Sequence, residues 1–252
     1  MNQILVTKKL YITPELKRKK KIYKFDFIIS VFLVCVLTSL YIYAEYDRNK
    51  GEEVSQEILA GMSNEMASIE DDTIAHDDIL LVVLDGTQDD YTPEITEPSI
   101  IQVNEQAKVQ TSASGYNYKS IATIEIPKLK LNYPILQGET GTPEETEALL
   151  KMSPCKYHGP EPNEIGNFCV VGHNYRNSKF FSKVPTLVSG DTVKITDLTG
   201  RTITYVVYDK YTVDPSDTRC TTQLTGGKKE VTVITCTDDS KGRVVVKCKE
   251  VN

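Results

Sequence analysis

The C-terminal half of the chain alternates apolar and polar residues in short runs. Gly, Pro, Asn and Asp break these runs, the pattern of strands that bury one face. Residues 121–126 (IATIEI) alternate and stop at Pro127, and 131–136 (LNYPIL) follow after Lys128, Leu129 and Lys130. Strands are next predicted over 167–173, 192–196 and 202–213. The chain closes on two β-branched runs, 231–235 (VTVIT) and 244–246 (VVV), joined by the polar, Gly-containing stretch 237–242. One helix interrupts the strands: Pro143 suits its first position, Thr142 its N-cap, and Glu144 and Glu145 its first turn. A further helical turn is predicted around residues 178–183. Many short strands with few helices predict an all-β domain, a closed or nearly closed barrel.

The last hairpin carries its own register. Pairing Cys236 with Arg243 at its mouth puts Val231, Val233 and Thr235 on one face with Val244, Val246 and Cys248, an apolar set fit for a core. The other face then carries Thr232, Ile234 and Cys236 opposite Lys247, Val245 and Arg243. The apolar pattern therefore sets a thiol beside a guanidinium, and a nearby cation favours the nucleophilic thiolate. Residues 166–174 (GNFCVVGHN) are an apolar strand ending in Gly172, His173 and Asn174. A histidine thus sits where a buried strand meets a loop, a common place for catalytic groups. A hairpin owning a Cys and an Arg is ordinary, and so is one histidine. The three together are far more specific.

The N-terminal half has another composition. Lys8, Lys9, residues 17–21 and Lys24 are basic, and residues 27–44 carry no charge. At ~1.5 Å per residue that run covers about 27 Å, close to the ~30 Å hydrocarbon core of a bilayer. Tyr41, Tyr43 and Tyr46 suit the far interface, and the basic cluster orients the N-terminus to the cytoplasm. A cleaved signal peptide competes, but Ile42 spoils a small-x-small cleavage site before Ala44. The expected organisation is a basic cytoplasmic tail (1–24), a transmembrane anchor (25–44), an acidic extracellular stalk (45–115) and a catalytic domain (116–252). Within the stalk, residues 54–69 carry a helical apolar stripe at Val54, Ile58, Met62, Met66 and Ile69, and 79–84 form a short apolar run. A net charge of −6 gives no electrostatic support to a nucleic-acid partner.

Six cysteines show no disulfide framework. Cys35 lies in the span, Cys169 and Cys248 read as buried thiols, and a Cys155–Cys220 pairing stays open. Cys155 with His158, and Cys169 with His173, look like zinc pairs. Four strand residues cover about 13 Å, too far for Cys169 and His173 to share one tetrahedral ion. His158 is the only rival to His173, since His76 lies among acidic residues of the stalk. No cofactor is expected.

Ile124-Glu125-Ile126-Pro127, Tyr133-Pro134-Ile135, Gly172-His173-Asn174, Ile234-Thr235-Cys236 and Gly242-Arg243 resemble the sortase family. These are cysteine transpeptidases that attach proteins to Gram-positive cell walls or to one another as pili. The resemblance runs from about Ser120 to the C-terminus and implies a sortase-like barrel. It implies that Cys236 attacks the threonine carbonyl of an LPxTG-like sorting signal near the C-terminus of a secreted protein. Arg243 would stabilise the oxyanion and His173 would protonate the leaving amine. An amine of a cell-wall precursor, or a pilin lysine, would then resolve the thioester. The long, polar, Gly-rich loop 214–229 precedes the cysteine strand and is placed to form one wall of a groove; it is too short for the inserted helix of class B, so class D or E fits better. Class A relatives hold calcium between loops matching Glu161 and Glu164 on one side and Asp214 and Asp217 on the other; solvated loop carboxylates are the simpler reading here. Pilin-polymerising relatives carry a lid before the barrel, but no Asp-Pro-aromatic lid motif occurs, so residues 45–115 read as a stalk. The rival classes are a secreted cysteine hydrolase and a β-domain that only binds. Ordinary side-chain values leave about 3% of a cysteine as thiolate and about a quarter of a histidine as imidazolium at pH 7, so slow turnover is expected.

Overall fold

Pro14 opens the first helix where its missing N–H costs nothing, and no proline follows until after the helix ends. The computed structural model describes residues 14–74 and 108–251. These fall into two units divided between Asn49 and Lys50. Helix α1 (Pro14–Ile74) begins in the first and ends in the second. Within it lies a stretch of mean hydropathy 2.4, wholly unburied and long and apolar enough to cross a membrane. There the Thr38 hydroxyl donates to the Val34 carbonyl and the Ser39 hydroxyl to the Cys35 carbonyl, so both are satisfied within the helix.

The second unit is built on strands β1 (Gln110–Thr111), β2 (Asn117–Ile126), β3 (Leu131–Gly138), β4 (Cys155–His158), β5 (Gly166–Val171), β6 (Thr192–Asp197), β7 (Thr202–Val213), β8 (Lys229–Cys236) and β9 (Arg243–Glu250). Their spatial order is β1-β2-β3-β4-β5-β8-β9-β7-β6, and β6 pairs back onto β2. Eight strands, β2 to β9, thus form a closed barrel, with β1 added beside β2. Closure removes the free sheet edge. The β3–β4 and β5–β8 pairs are parallel. Period two fills the interior: Ile124 and Ile126, Phe168 and Val170, Val231 and Val233, Val244 and Val246 all lie in one cluster.

The last hairpin adopts the expected register, with Cys236 opposite Arg243, Val233 opposite Val246 and Val231 opposite Cys248. Helix α2 (Pro143–Leu150) starts as expected, Thr142 Oγ1 accepting from the Glu145 amide at 3.3 Å. The helical turn expected around 178–183 lies further on, as a single 3₁₀ turn at Val184–Thr186. Residues before it are held instead by Asn177, whose side-chain oxygen accepts from the Lys179 amide and the Ser182 hydroxyl. Strand β4 had no sequence signal of its own; its four residues pair with β3 at Leu136 and with β5 across a bulge.

The stripe expected in the stalk is realised in part. Val54, Ile58 and Met62, four residues apart on α1, pack with Tyr118, Leu136, Leu149, Leu150 and Cys155. Burying Ile58 and Met62 contributes about 1.5–3 kcal/mol each as an upper estimate. Beside them Ser55 and Ser153 are hydrogen-bonded at 3.0 Å. Residues 79–84 and His76 lie outside the described residues, as do the side chains of Met66 and Ile69.

Candidate active site

The parallel β5–β8 ladder continues one residue past β5: the Gly172 amide donates to the Ile234 carbonyl at 3.0 Å. The Thr235 hydroxyl then ties the Gly172 carbonyl at 2.8 Å. The next residue, His173, is thereby carried alongside Cys236. Asn174 closes the junction, its amide nitrogen donating to the Cys236 carbonyl and to Asp238, both at 2.9 Å. A side chain at Gly172 would put its Cβ 2.4 Å from the Phe181 ring, so only glycine lets the strand end lie there.

Side-chain alternation puts Val171 and His173, Ile234 and Cys236, Val245 and Arg243 on the outer face of three adjacent strands. The three candidate residues are half-buried. The middle of that face is closed. Thr232, Ile234, Val245 and Lys247 are buried beneath the loop between β7 and β8. Cys220 of that loop packs on Ile234 and Val245. Asn167 donates to the Cys220 and Thr222 carbonyls at 3.0 and 3.1 Å, and Lys247 Nζ bonds Thr232 at 2.9 Å and faces Glu230 at 3.6 Å. The loop therefore roofs the middle of this face and leaves Cys236, His173 and Arg243 half-buried at its end.

The turn to Arg243 is tied internally. The Thr237 amide donates to the Gly242 carbonyl at 3.0 Å, and Thr237 Oγ1 accepts from the Gly242 amide at 2.9 Å. His173 is held below its ordinary pKa, chiefly by burial. Lys151 and Arg243 push the same way, and Glu147, with a carboxylate oxygen 3.7 Å from Nε2, opposes them. Among the thiols beyond α1, burial pushes Cys169 and Cys248 up to about 12 and raises Cys155 and Cys220. Those four are buried, whereas Cys236 is half-exposed. Cys155 and Cys220, the pairing left open by the sequence, are free thiols in separate clusters.

His158 does not join the site. It is exposed and pairs with Cys169, four strand residues or about 13 Å from His173. The loop carboxylates have local partners: Glu161 with Lys156, Glu164 with Arg201, Asp217 with Arg219, and Asp214 with the Ser216 amide. Among the described residues no group of three or more His, Cys, Asp or Glu side chains is placed to hold a metal ion. Sequence reasoning missed Glu147 and the bridging role of Asn174. Adjacency to His173 was a signal for the second, while nothing local marks Glu147, which sits on α2.

Comparison with known proteins gives a Sortase domain match over residues 124–251. Curated proteins include no match. Among solved structures the chain is similar to a Clostridium perfringens Sortase D5 transpeptidase, with 32% identity over 53% of this chain and 80% of that one and a TM-score of 0.46. A lid mutant of sortase A from Corynebacterium diphtheriae is 25% identical over 54% of this chain and 72% of that one, TM-score 0.45. Sortase C-1 from Actinomyces oris is 24% identical over 53% and 75%, TM-score 0.46. With the domain match covering just over half of its length, the chain belongs to the sortase family, whose members are cysteine transpeptidases.

Proposed function

We propose that this sortase is a membrane-anchored transpeptidase in which Cys236 is the nucleophile, His173 the general acid and Arg243 the oxyanion stabiliser. The observation that carries the reading is the convergence of three half-buried residues on adjacent strands at one end of a roofed strand face. The Cys236 thiolate attacks the threonine carbonyl of an LPxTG-like sorting signal, forming the C–S bond and a tetrahedral oxyanion. Arg243 donates to that oxygen with a planar fork, and the residues flanking the scissile bond lie along the opening. His173 gives its proton to the departing amine as the C–N bond breaks, leaving a thioester. An incoming amine of a cell-wall precursor attacks the thioester, the proton it loses returns to His173, and the thiolate leaves.

The apolar part of α1 is the single-pass anchor, with residues 1–24 cytoplasmic and the barrel extracellular. The catalytic domain is assigned to residues 116–252. The segment between β7 and β8, with one helical turn at Arg219–Thr221, suits a class D- or E-like enzyme. A pilin lysine in place of the wall amine would make the same enzyme a pilin polymerase.

The test is mass analysis of products from the full chain in detergent, given LPxTG-type peptides with and without an acceptor amine. Cleavage after threonine with a new amide to the acceptor is expected. Hydrolysis unaffected by the acceptor, or undiminished product with Cys236→Ala, overturns the proposal.

A further inference from the structure

Helix α1 does more than lead to the barrel. Glu52, two residues into the second unit, lies against Tyr133 of β3, whose hydroxyl is 2.7 and 2.8 Å from the two carboxylate oxygens. The same hydroxyl accepts the Phe180 amide proton at 3.1 Å. Phe180 needs holding: its φ is +48°, a left-handed conformation that costs an aromatic residue about 1–2 kcal/mol. Its ring stacks on Tyr133 at 5.2 Å and 7°, and Tyr175 meets it edge-on at 5.5 Å.

From Phe180 the path to the site is one step. Phe180 bridges Asn174 in antiparallel fashion, and the Phe181 amide donates to the His173 carbonyl at 3.0 Å. The His173 ring itself packs at 5.1 Å on Tyr175. The helix backbone is seated closely here, since a Cβ at Gly51 would fall 2.2 Å from the Lys151 carbonyl oxygen and 3.8 Å from the Phe180 ring.

We propose that Glu52 is a positioning residue for His173, acting through Tyr133 and Phe180. This rests on the reading of His173 as the general acid. The carboxylate fixes the Tyr133 hydroxyl, which holds Phe180 in its strained conformation; Phe181 then fixes the backbone of His173, and Phe180 fixes its ring through Tyr175. The charges that bear on His173 directly are Glu147, Lys151 and Arg243, so Glu52 works by packing. Gly51 and Glu52 of α1 accordingly support the catalytic domain from outside residues 116–252.

The test compares Glu52→Ala, Glu52→Gln, Tyr133→Phe and the Ala/Phe double variant as full chains in detergent, well below their Tm. Misplacing a catalytic group is costly, so Glu52→Ala should lower kcat about tenfold with KM for the peptide nearly unchanged. Glu52→Gln keeps an acceptor oxygen and should stay within about threefold. The double variant should be no worse than its worse parent. In NMR titration of labelled histidine, His173 should move up toward its ordinary value in Glu52→Ala, because burial is what depresses it. If Glu52→Ala does not fold, Tyr133→Phe, which keeps the ring stack, carries the same measurements. A lowered Tm with unchanged kcat and unchanged His173 titration overturns the proposal. His173→Ala is the separate control: full activity there sinks the assignment of the acid, whereas an inactive His173→Ala beside an unaffected Glu52→Ala sinks only the role of Glu52.

Discussion

Cys236 and Arg243 are the last cross-strand pair of the β8–β9 hairpin, and both project from its outer face. Their neighbours on that face, Ile234 and Val245, are buried under the β7–β8 loop. A thiol and a guanidinium are therefore side by side at the boundary between a dry face and solvent. There a charge is less costly than in the core, yet less screened than on an open surface.

Replacing Cys236 by Ala should abolish acyl transfer and leave the Tm nearly unchanged, because the residue is half-exposed and fills no core volume. Cys248 is fully buried in the barrel interior, so Cys248→Ala should cost about 1 kcal/mol while chemistry persists. Thermal denaturation and a transpeptidation assay on both variants check this. Activity retained in Cys236→Ala would refute the nucleophile.

Arg243→Lys should fail to rescue Arg243→Ala. Lysine keeps the charge but loses the planar fork that can bond an oxyanion and a substrate carbonyl together. Loss of an oxyanion donor typically lowers the rate about 10²–10³-fold. If kcat/KM of the Lys variant lies within about threefold of wild type, charge alone is the role.

The pH profile carries a sign. As the proposed general acid His173 acts in its protonated form, and burial holds its pKa below the ordinary histidine value. Where the partner thiol titrates above the imidazole, as ordinary cysteines do, the thiolate–imidazolium pair gains population with pH only up to the histidine's pKa, so the acid limb of kcat/KM should lie below pH ~6.5. Glu147 opposes the shift, so Glu147→Gln should move that limb further down. It should also lower the neutral-pH rate, since a smaller share of enzyme pairs thiolate with imidazolium. The carboxylate is 64% exposed and 3.7 Å away, so the effect should be small. A two- to threefold change, about the scale of a weak surface pair, is expected. A limb that moves up would reverse the assignment.

Two glycines of α1 should respond oppositely to alanine. Gly61 has nothing within 4 Å of an added Cβ, so Gly61→Ala should stabilise by about 1 kcal/mol through helix propensity. At Gly51 the Cβ would fall 2.2 Å from a backbone oxygen that cannot swing aside. Gly51→Ala should destabilise by about 1–3 kcal/mol. Denaturation of both variants decides it, and stabilisation at both sites would mean the helix is not seated on the barrel.

Truncation separates anchor from seat. Removing residues 1–46 should leave a soluble, active domain, because Glu52, Ser55, Ile58 and Met62 remain. Removing residues 1–64 takes them away and should lower both Tm and kcat. Equal activity in the two truncations would leave the helix without a role in catalysis.

Local rules sufficed wherever the signal was periodic or a cap. Alternation of Val231, Val233, Val244 and Val246 set the hairpin register because a slip of one residue would turn the apolar set outward. Thr142 and Pro143 announced α2, and the stripe of Val54, Ile58 and Met62 announced a helix with something to cover. What those residues cover, and what covers the outer face of β8 and β9, was not legible. Asn167, Lys247 and Glu230 form the polar ties beneath the roof, yet a buried lysine and a buried asparagine look like surface residues in sequence. The same holds for Glu52, Tyr133 and Phe180, which come from three distant segments and meet only once the barrel closes. Backbone periodicity is a property of neighbours in the chain, so sequence alone could determine the longer strands, their faces and one pairing. Contacts between distant segments depend on how the sheet closes, and only the tertiary structure could decide them.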